Sequence, residues 1–100
     1  MAKFMTRVEL HDANYQDYVN LHIYMSKEGF SNTIRGDDGT LYQLPPAEYT
    51  MVADCTVSEA RDKASRAAQK TGKSSAVVSS DYNGAAWVGL KKVAMHARAS

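Results

Sequence analysis

An antiparallel sheet with two helices on one face, an α+β fold in the order βαββαβ, is what the sequence predicts, on three observations. Two segments with a helical period each open on a capping residue and close on glycine. Runs of alternating apolar and polar residues flank them. An Asp-Gly turn joins the second and third extended runs. Four strands and two helices fit a chain of 100 residues, close to the commonest domain size, so one domain is expected over residues 1–93. Residues 94–100 carry no anchoring pattern and are expected to be disordered.

The first strand is read from Phe4, Thr6, Val8 and Leu10 alternating with Met5, Arg7 and Glu9, the period of a half-buried strand. His11 to Asn14 supplies turn and cap residues, and Asn14 with Asp17 three places on marks a helix start. From Tyr15 to Glu28 the residues Tyr15, Tyr18, Val19, Leu21 and Met25 share one side, and Gly29 ends the helix. Phe30 to Arg35 forms the second strand, Asp37-Asp38-Gly39 the hairpin turn, and Leu41 to Leu44 the return path. Pro45-Pro46 stops that path, and Ala47 to Asp54 is the third strand, with Tyr49, Met51 and Ala53 on one face. Thr56 and Glu59 fit a capping box, opening a helix that runs to about Thr71 and stops at Gly72. Its inner face, Val57, Ala60, Ala64, Ala67 and Ala68, is small enough to lie close upon a sheet. Ala76 to Val78 is the fourth strand, and Ala85 to Val93 is expected to add a C-terminal edge strand. This order is that of the ferredoxin-like fold, the split βαβ arrangement. The fold hosts many activities and names none by itself.

Composition narrows the classes. Hydrophobic residues make up 44% and charged residues 23%, the values of an ordinary folded domain. A single cysteine, Cys55, forms no intrachain bridge, and with three scattered histidines it leaves no zinc spacing. Immediately before the second helix, Cys55 is read as a small buried hydrophobe. No run approaches the roughly 18 apolar residues of a membrane helix, and Met1 to Leu10 alternates instead of forming a signal core. A cytoplasmic protein is expected. No phosphate-binding loop, dinucleotide-binding glycine pattern or serine-hydrolase elbow is present, which sets aside ATPases, dinucleotide enzymes and serine hydrolases. Net charge is +1, but residues 1–60 hold four basic and nine acidic residues, and residues 61–100 eight basic and two acidic. Such asymmetry suits one face for a polyanion, two complementary faces, or charges that mix on folding.

Phe4-x-Thr6-x-Val8 leading to Asp12, then Leu21 and Met25, Gly29-Phe30-Ser31, Asp38-Gly39, Gln43-Leu44-Pro45 and Tyr49 resembles the GhoS-type endoribonuclease antitoxins of bacterial type V toxin–antitoxin systems. The similarity covers residues 3–60, is strongest from Met25 to Tyr49, and is scarcely traceable after Lys73. The resemblance implies a small ferredoxin-like ribonuclease that silences a membrane toxin by cutting its messenger. The fold it implies is also similar to that of the small CRISPR-adaptation nucleases, which work as dimers. By family analogy a basic residue on the first helix takes part in cleavage, and the matching position is His22, histidine where the family has arginine.

Metal-free RNA cleavage needs a base for the 2′-hydroxyl proton, an acid for the leaving oxygen and a cation for the charged phosphorane. Histidine suits the first two roles. His96 falls in the expected tail. His11 stands beside Asp12 at the end of the first strand, where catalytic groups are often displayed, although an exposed loop histidine is the plainer reading. His22 shares the side of Tyr18, Leu21 and Met25, so a half-buried histidine bonded to the sheet is its plainer reading. Ferredoxin-like nucleases place an acid where Asp12 stands. Asp12, Asp37 and Asp38 have the chemistry to hold Mg²⁺, yet Asp37 and Asp38 are more simply turn residues. The expectation is no bound cofactor, with Mg²⁺ at Asp12 as the exception to test. Arg61, Lys63, Arg66, Lys70 and Lys73 form the densest basic stretch, a phosphate-contacting stripe or a solvated helix face, and Arg35 joins them as a phosphate contact. Tyr15, Tyr24, Tyr42, Tyr82 and Trp87 offer rings for unpaired bases, Tyr24 as the most exposed candidate and Trp87 rather as core or dimer interface. A homodimer is expected because two helices leave the other sheet face, with Met5, Arg7, Val52 and Trp87, uncovered. Two classes therefore stand: an endoribonuclease on single-stranded RNA, or a non-catalytic dimeric interaction module for an RNA or protein.

Overall fold

The computed structural model describes residues 1–93; the expected tail, with His96, lies outside the described residues. The elements are β1 (Ala2–Leu10), α1 (Tyr15–Lys27), β2 (Thr33–Arg35), β3 (Leu41–Gln43), β4 (Glu48–Ala53), α2 (Val57–Gln69) and β5 (Ser75–Asp81). β1 is the middle strand of a three-stranded sheet, antiparallel to β4 on one side and β5 on the other. In register, Phe4 faces Met51 and Thr6 faces Tyr49 across β4, while Val8 faces Val77 across β5. One face of this sheet carries the core. Phe4, Thr6 and Val8 are fully buried there, with Leu10, Tyr49 and Met51 nearly so.

Both helices pack on that face. Leu21 and Met25 of α1 and Ala60, Ala64, Ala67 and Ala68 of α2 join Phe4, Val8 and Met51 in one cluster. Burying each of the larger apolar side chains contributes roughly 1.5–3 kcal/mol. The alanine face brings α2 against α1, β1 and β5. Both helices start as the sequence predicts. The Asn14 side chain accepts the Asp17 amide at 2.9 Å and Asp17 accepts the Asn14 amide at 2.9 Å; Thr56 and Glu59 repeat this at 3.1 and 2.8 Å. Gly29 follows α1 with φ +101°, a left-handed conformation in which a Cβ costs about 1–2 kcal/mol. Tyr15 and Val57, expected on the inner faces, are exposed at the first positions of their helices, Tyr15 by 83%.

The single four- or five-stranded sheet divides into two. β2 and β3 form their own ribbon, Thr33 to Gln43 and Arg35 to Leu41, closed by the expected Asp37-Asp38-Gly39 turn. Among the described residues the ribbon's one backbone bridge to the main sheet is at Ser31, which exchanges both backbone hydrogen bonds with Thr50 at 2.8 and 2.7 Å. Beyond that bridge the Thr50 hydroxyl donates to the Thr33 carbonyl at 2.6 Å. A side chain thus takes the acceptor that a longer ladder would use. The edge strand expected at Ala85–Val93 does not form. Gly89, at φ +84°, leaves the extended region, and only the end of the segment pairs, on β3 rather than on the main sheet. There the Gln43 amide donates to Lys91 at 2.8 Å and the Val93 amide to Leu41 at 2.9 Å.

Candidate nucleic-acid interface

Leu21 and Met25 turn one face of α1 into the core, and His22, a third of a turn on from Leu21, is consequently exposed rather than half-buried. Its imidazole stacks on the Tyr49 ring of β4, centroids 6.0 Å apart and planes 24° from parallel. The pair opens on a largely apolar pocket of about 480 Å³ walled by Tyr15, Tyr18, Val19, Pro45 and Pro46. Tyr49 is 4% exposed, and burial, with the neighbouring Tyr18 hydroxyl adding to it, pushes its ionisation up to about 12. The two prolines end the β3 path and deliver Ala47 at φ +67°, strained for a residue with a Cβ. The Ala47 carbonyl is held there by the Val8 amide at 3.0 Å. Strained backbone beside a pocket is a recurring feature of functional sites. Chemically the site presents an accessible imidazole, able to give and take a proton, among aromatic rings able to stack.

The other candidates stand elsewhere. His11 is exposed at the end of β1, its Nδ1 3.1 Å from the Ser74 hydroxyl and its Nε2 3.8 Å from a Glu9 carboxylate oxygen. Asp12 follows it, exposed and at φ +52°, a conformation aspartate tolerates. Neither lines the His22 pocket. Asp38 serves the ribbon turn: its carboxylate accepts the Thr40 amide at 2.9 Å, and the Thr40 backbone and side chain hold its ionisation below the ordinary carboxylate value. Among the described residues no group of three or more His, Cys, Asp or Glu is placed to hold a metal ion. Cys55 is half-buried against the core.

Much of the basic stretch is engaged. Arg61 pairs with Asp62 at 2.8 Å, Arg66 reaches both oxygens of Glu28 at 3.2 and 3.4 Å, and Lys73 lies 3.8 Å from Asp17. The last two tie α2, and the turn after it, to the ends of α1. Lys73 follows α2 instead of riding on it. Lys63, half-buried, and Lys70, exposed, have no carboxylate within 4.0 Å among the described residues. Tyr24 packs half-buried against the core, so Tyr15 is the exposed ring of α1.

A second recess lies on the sheet face away from the helices. Lys3, Thr50 and Val52 line it from β1 and β4; the ribbon, with Thr33 and Arg35, lines another side, and the segment after β5, with Tyr82 and Trp87, a third. Its volume is about 790 Å³. Lys3 Nζ sits 5.4 Å from the Tyr82 ring centroid, and Trp87 leans on Tyr42 at 5.4 Å. Arg35 Nη1 donates to the Gly39 carbonyl at 2.8 Å, leaving other guanidinium N–H groups for a ligand. Burial raises the Tyr82 ionisation. Trp87 is half-buried in a wall of this recess. From the sequence Arg35 and Tyr82 are binding candidates and Trp87 rather core or dimer interface, while Lys3 is not singled out; its outward position in the β1 alternation is the available signal. No helix among the described residues is long and apolar enough to cross a membrane. No protein-family model matches the chain, and no curated protein matches it.

Proposed function

We propose that the protein binds single-stranded RNA and cleaves it, acting in the cytoplasm as a GhoS-like endoribonuclease antitoxin on a toxin messenger. The observation that carries this reading joins sequence and geometry. The strongest block of the resemblance, Met25 to Tyr49, supplies the ribbon, the diproline and the Tyr49 ring that surround His22. His22 is the one histidine among the described residues that is both exposed and set in a ring-lined pocket. In this reading it moves a proton to or from the ribose hydroxyl or the leaving oxygen. Arg35, Lys63 and Lys70, the last two without a carboxylate partner among the described residues, neutralise phosphate, and His11 and Asp12 serve from the end of β1. The fold is ferredoxin-like, its fourth sheet position reduced to the Ser31–Thr50 bridge and continued by the ribbon. The same reading includes a homodimer, for which the β5 edge, bordered among the described residues by β1 alone, and the exposed Val78 offer surface.

The test is cleavage of a labelled unstructured RNA, with and without EDTA to decide whether Asp12 works through Mg²⁺. His22→Ala should slow cleavage by roughly 10²–10⁴-fold. Because His22 is exposed, the same change should cost only the ring contact with Tyr49, about 1 kcal/mol. An unchanged rate in a folded variant would remove His22 from the chemistry. The non-catalytic interaction module is favoured by a different observation: Arg61, Arg66 and Lys73 are engaged by carboxylates. Salt-sensitive RNA binding with no cutting at all would select it.

A further inference from the structure

The recess on the outer face of the sheet is distinct from the His22 pocket, and the ribbon separates them: Asn32 and Gln43 line the His22 side, Thr33 and Arg35 the outer side. We propose that this outer cleft is the RNA-binding groove, with Lys3 and Arg35 on phosphates and Tyr82 and Trp87 stacking on unpaired bases. The proposal rests on the RNA reading above and adds to Lys63 and Lys70 a surface where cations and stacking rings stand together.

Three features point to this ligand chemistry. The first is charge. Lys3, Arg35 and Asp37 are the ionised groups lining the cleft, a net positive set, and neither Lys3 nor Arg35 has a carboxylate within 4.0 Å among the described residues. By contrast Arg61, Arg66 and Lys73 each have one. Cations without carboxylate partners gain the most from a phosphate, since no existing pair must be broken. The second is the pairing of those cations with rings. Lys3 Nζ already lies 5.4 Å from the Tyr82 centroid, so one short stretch of wall offers a charge and a stacking face together. That combination is how sequence-tolerant single-strand sites are built. The third is shape. A cleft of about 790 Å³ lies within the ordinary range of ligand sites, and it is bounded by a sheet face, a ribbon and a loop. A duplex, whose bases are already stacked, cannot use the rings.

Trp87 is the only tryptophan in the chain, so its emission reports on the segment that walls this cleft. The probe is an unstructured RNA oligonucleotide bearing 2′-O-methyl groups, which blocks the attacking hydroxyl and removes cleavage from the measurement. Added to the intact protein it should change Trp87 emission saturably. Tyr82→Ala should weaken binding by about 5- to 150-fold, the loss of one stacked base. Lys3→Ala with Arg35→Ala should weaken it further and lower the slope of log affinity against log salt by about 1.4. Arg35→Lys should restore part of the salt slope. Circular dichroism and melting identify any variant that has lost its fold; the intact protein's emission response and its preference for single strands over duplex then decide. Labelled-oligonucleotide binding that leaves Trp87 emission and the double variant's affinity unchanged would overturn the cleft while sparing the RNA reading. Equal affinity for duplex RNA would overturn the stacking. No binding by fluorescence or anisotropy, together with no cutting of unmodified RNA, would overturn both readings.

Discussion

Raising the pH through the range 10 to 12 should withdraw a definite part of this protein's stability, and Tyr49 is the reason. Its ring is 4% exposed, with His22 stacked at 6.0 Å and the Phe30 ring edge-on at 6.4 Å. A phenolate there would lose its hydration on burial and, secondarily, meet charge repulsion from Tyr18, so its ionisation moves from 10.0 to about 12. Below pH 10 the ring is neutral in the folded and unfolded chains alike, and its contribution is fully present. Between the two values the unfolded chain gives up the proton while the folded one keeps it. The folded state then binds more protons, and stability falls as pH rises. The whole displacement amounts to about 3 kcal/mol, a large share of the roughly 5–15 kcal/mol that holds a domain together. Urea unfolding at steps from about pH 9 to about pH 12 should therefore show falling midpoints, and Tyr49→Phe should flatten the fall. The tyrosinate absorbance of the natural protein minus that of Tyr49→Phe isolates the one ring. Tyr82, raised in the same direction, cancels in that difference. A difference spectrum that titrates near 10, or identical pH slopes for the two proteins, would refute the burial argument and with it the apolar character assigned to the His22 pocket.

The alanine face of α2 supplies a second stability test. Ala64 is fully buried between the helices and the sheet, so Ala64→Leu should cost roughly 1–3 kcal/mol by overpacking. Its melting temperature should drop by roughly 4–24 °C, and a melting temperature equal to or above that of the natural protein would show unfilled space there. For the homodimer, light scattering at micromolar concentration should return twice the chain mass of 11.0 kDa. A mass that stays near one chain through dilution and concentration would end that expectation.

Local chemistry made most of the elements legible. The alternation from Phe4 to Leu10 fixes which face of β1 is buried, because a strand's period leaves no other choice. The two capping boxes place the helix starts to the residue, since orphan amides at a helix end find their acceptors within three positions. The Asp-Gly turn and the alanine face of α2 were equally local. What the sequence did not reveal is where separate elements meet. The rotation of α1 on the sheet decides that His22 is exposed over Tyr49 while Tyr24, two residues on, packs against the core. Sequence periodicity alone had these two reversed, because a shallow stripe of tyrosines and aliphatics tolerates more than one angle of docking. The carboxylates that engage Arg66 and Lys73 lie on or beside α1, at Glu28 and Asp17, so a basic run read along the chain overstated the charge that remains free. The outer cleft is the clearest case. Lys3, Arg35, Tyr82 and Trp87 are distant in sequence, and only the folding of the ribbon and the last segment over the open sheet face brings them around one recess. Secondary structure follows from interactions across a few residues and is written along the chain. A site assembled from four elements depends on packing angles set by the whole core, and no stretch of sequence contains those.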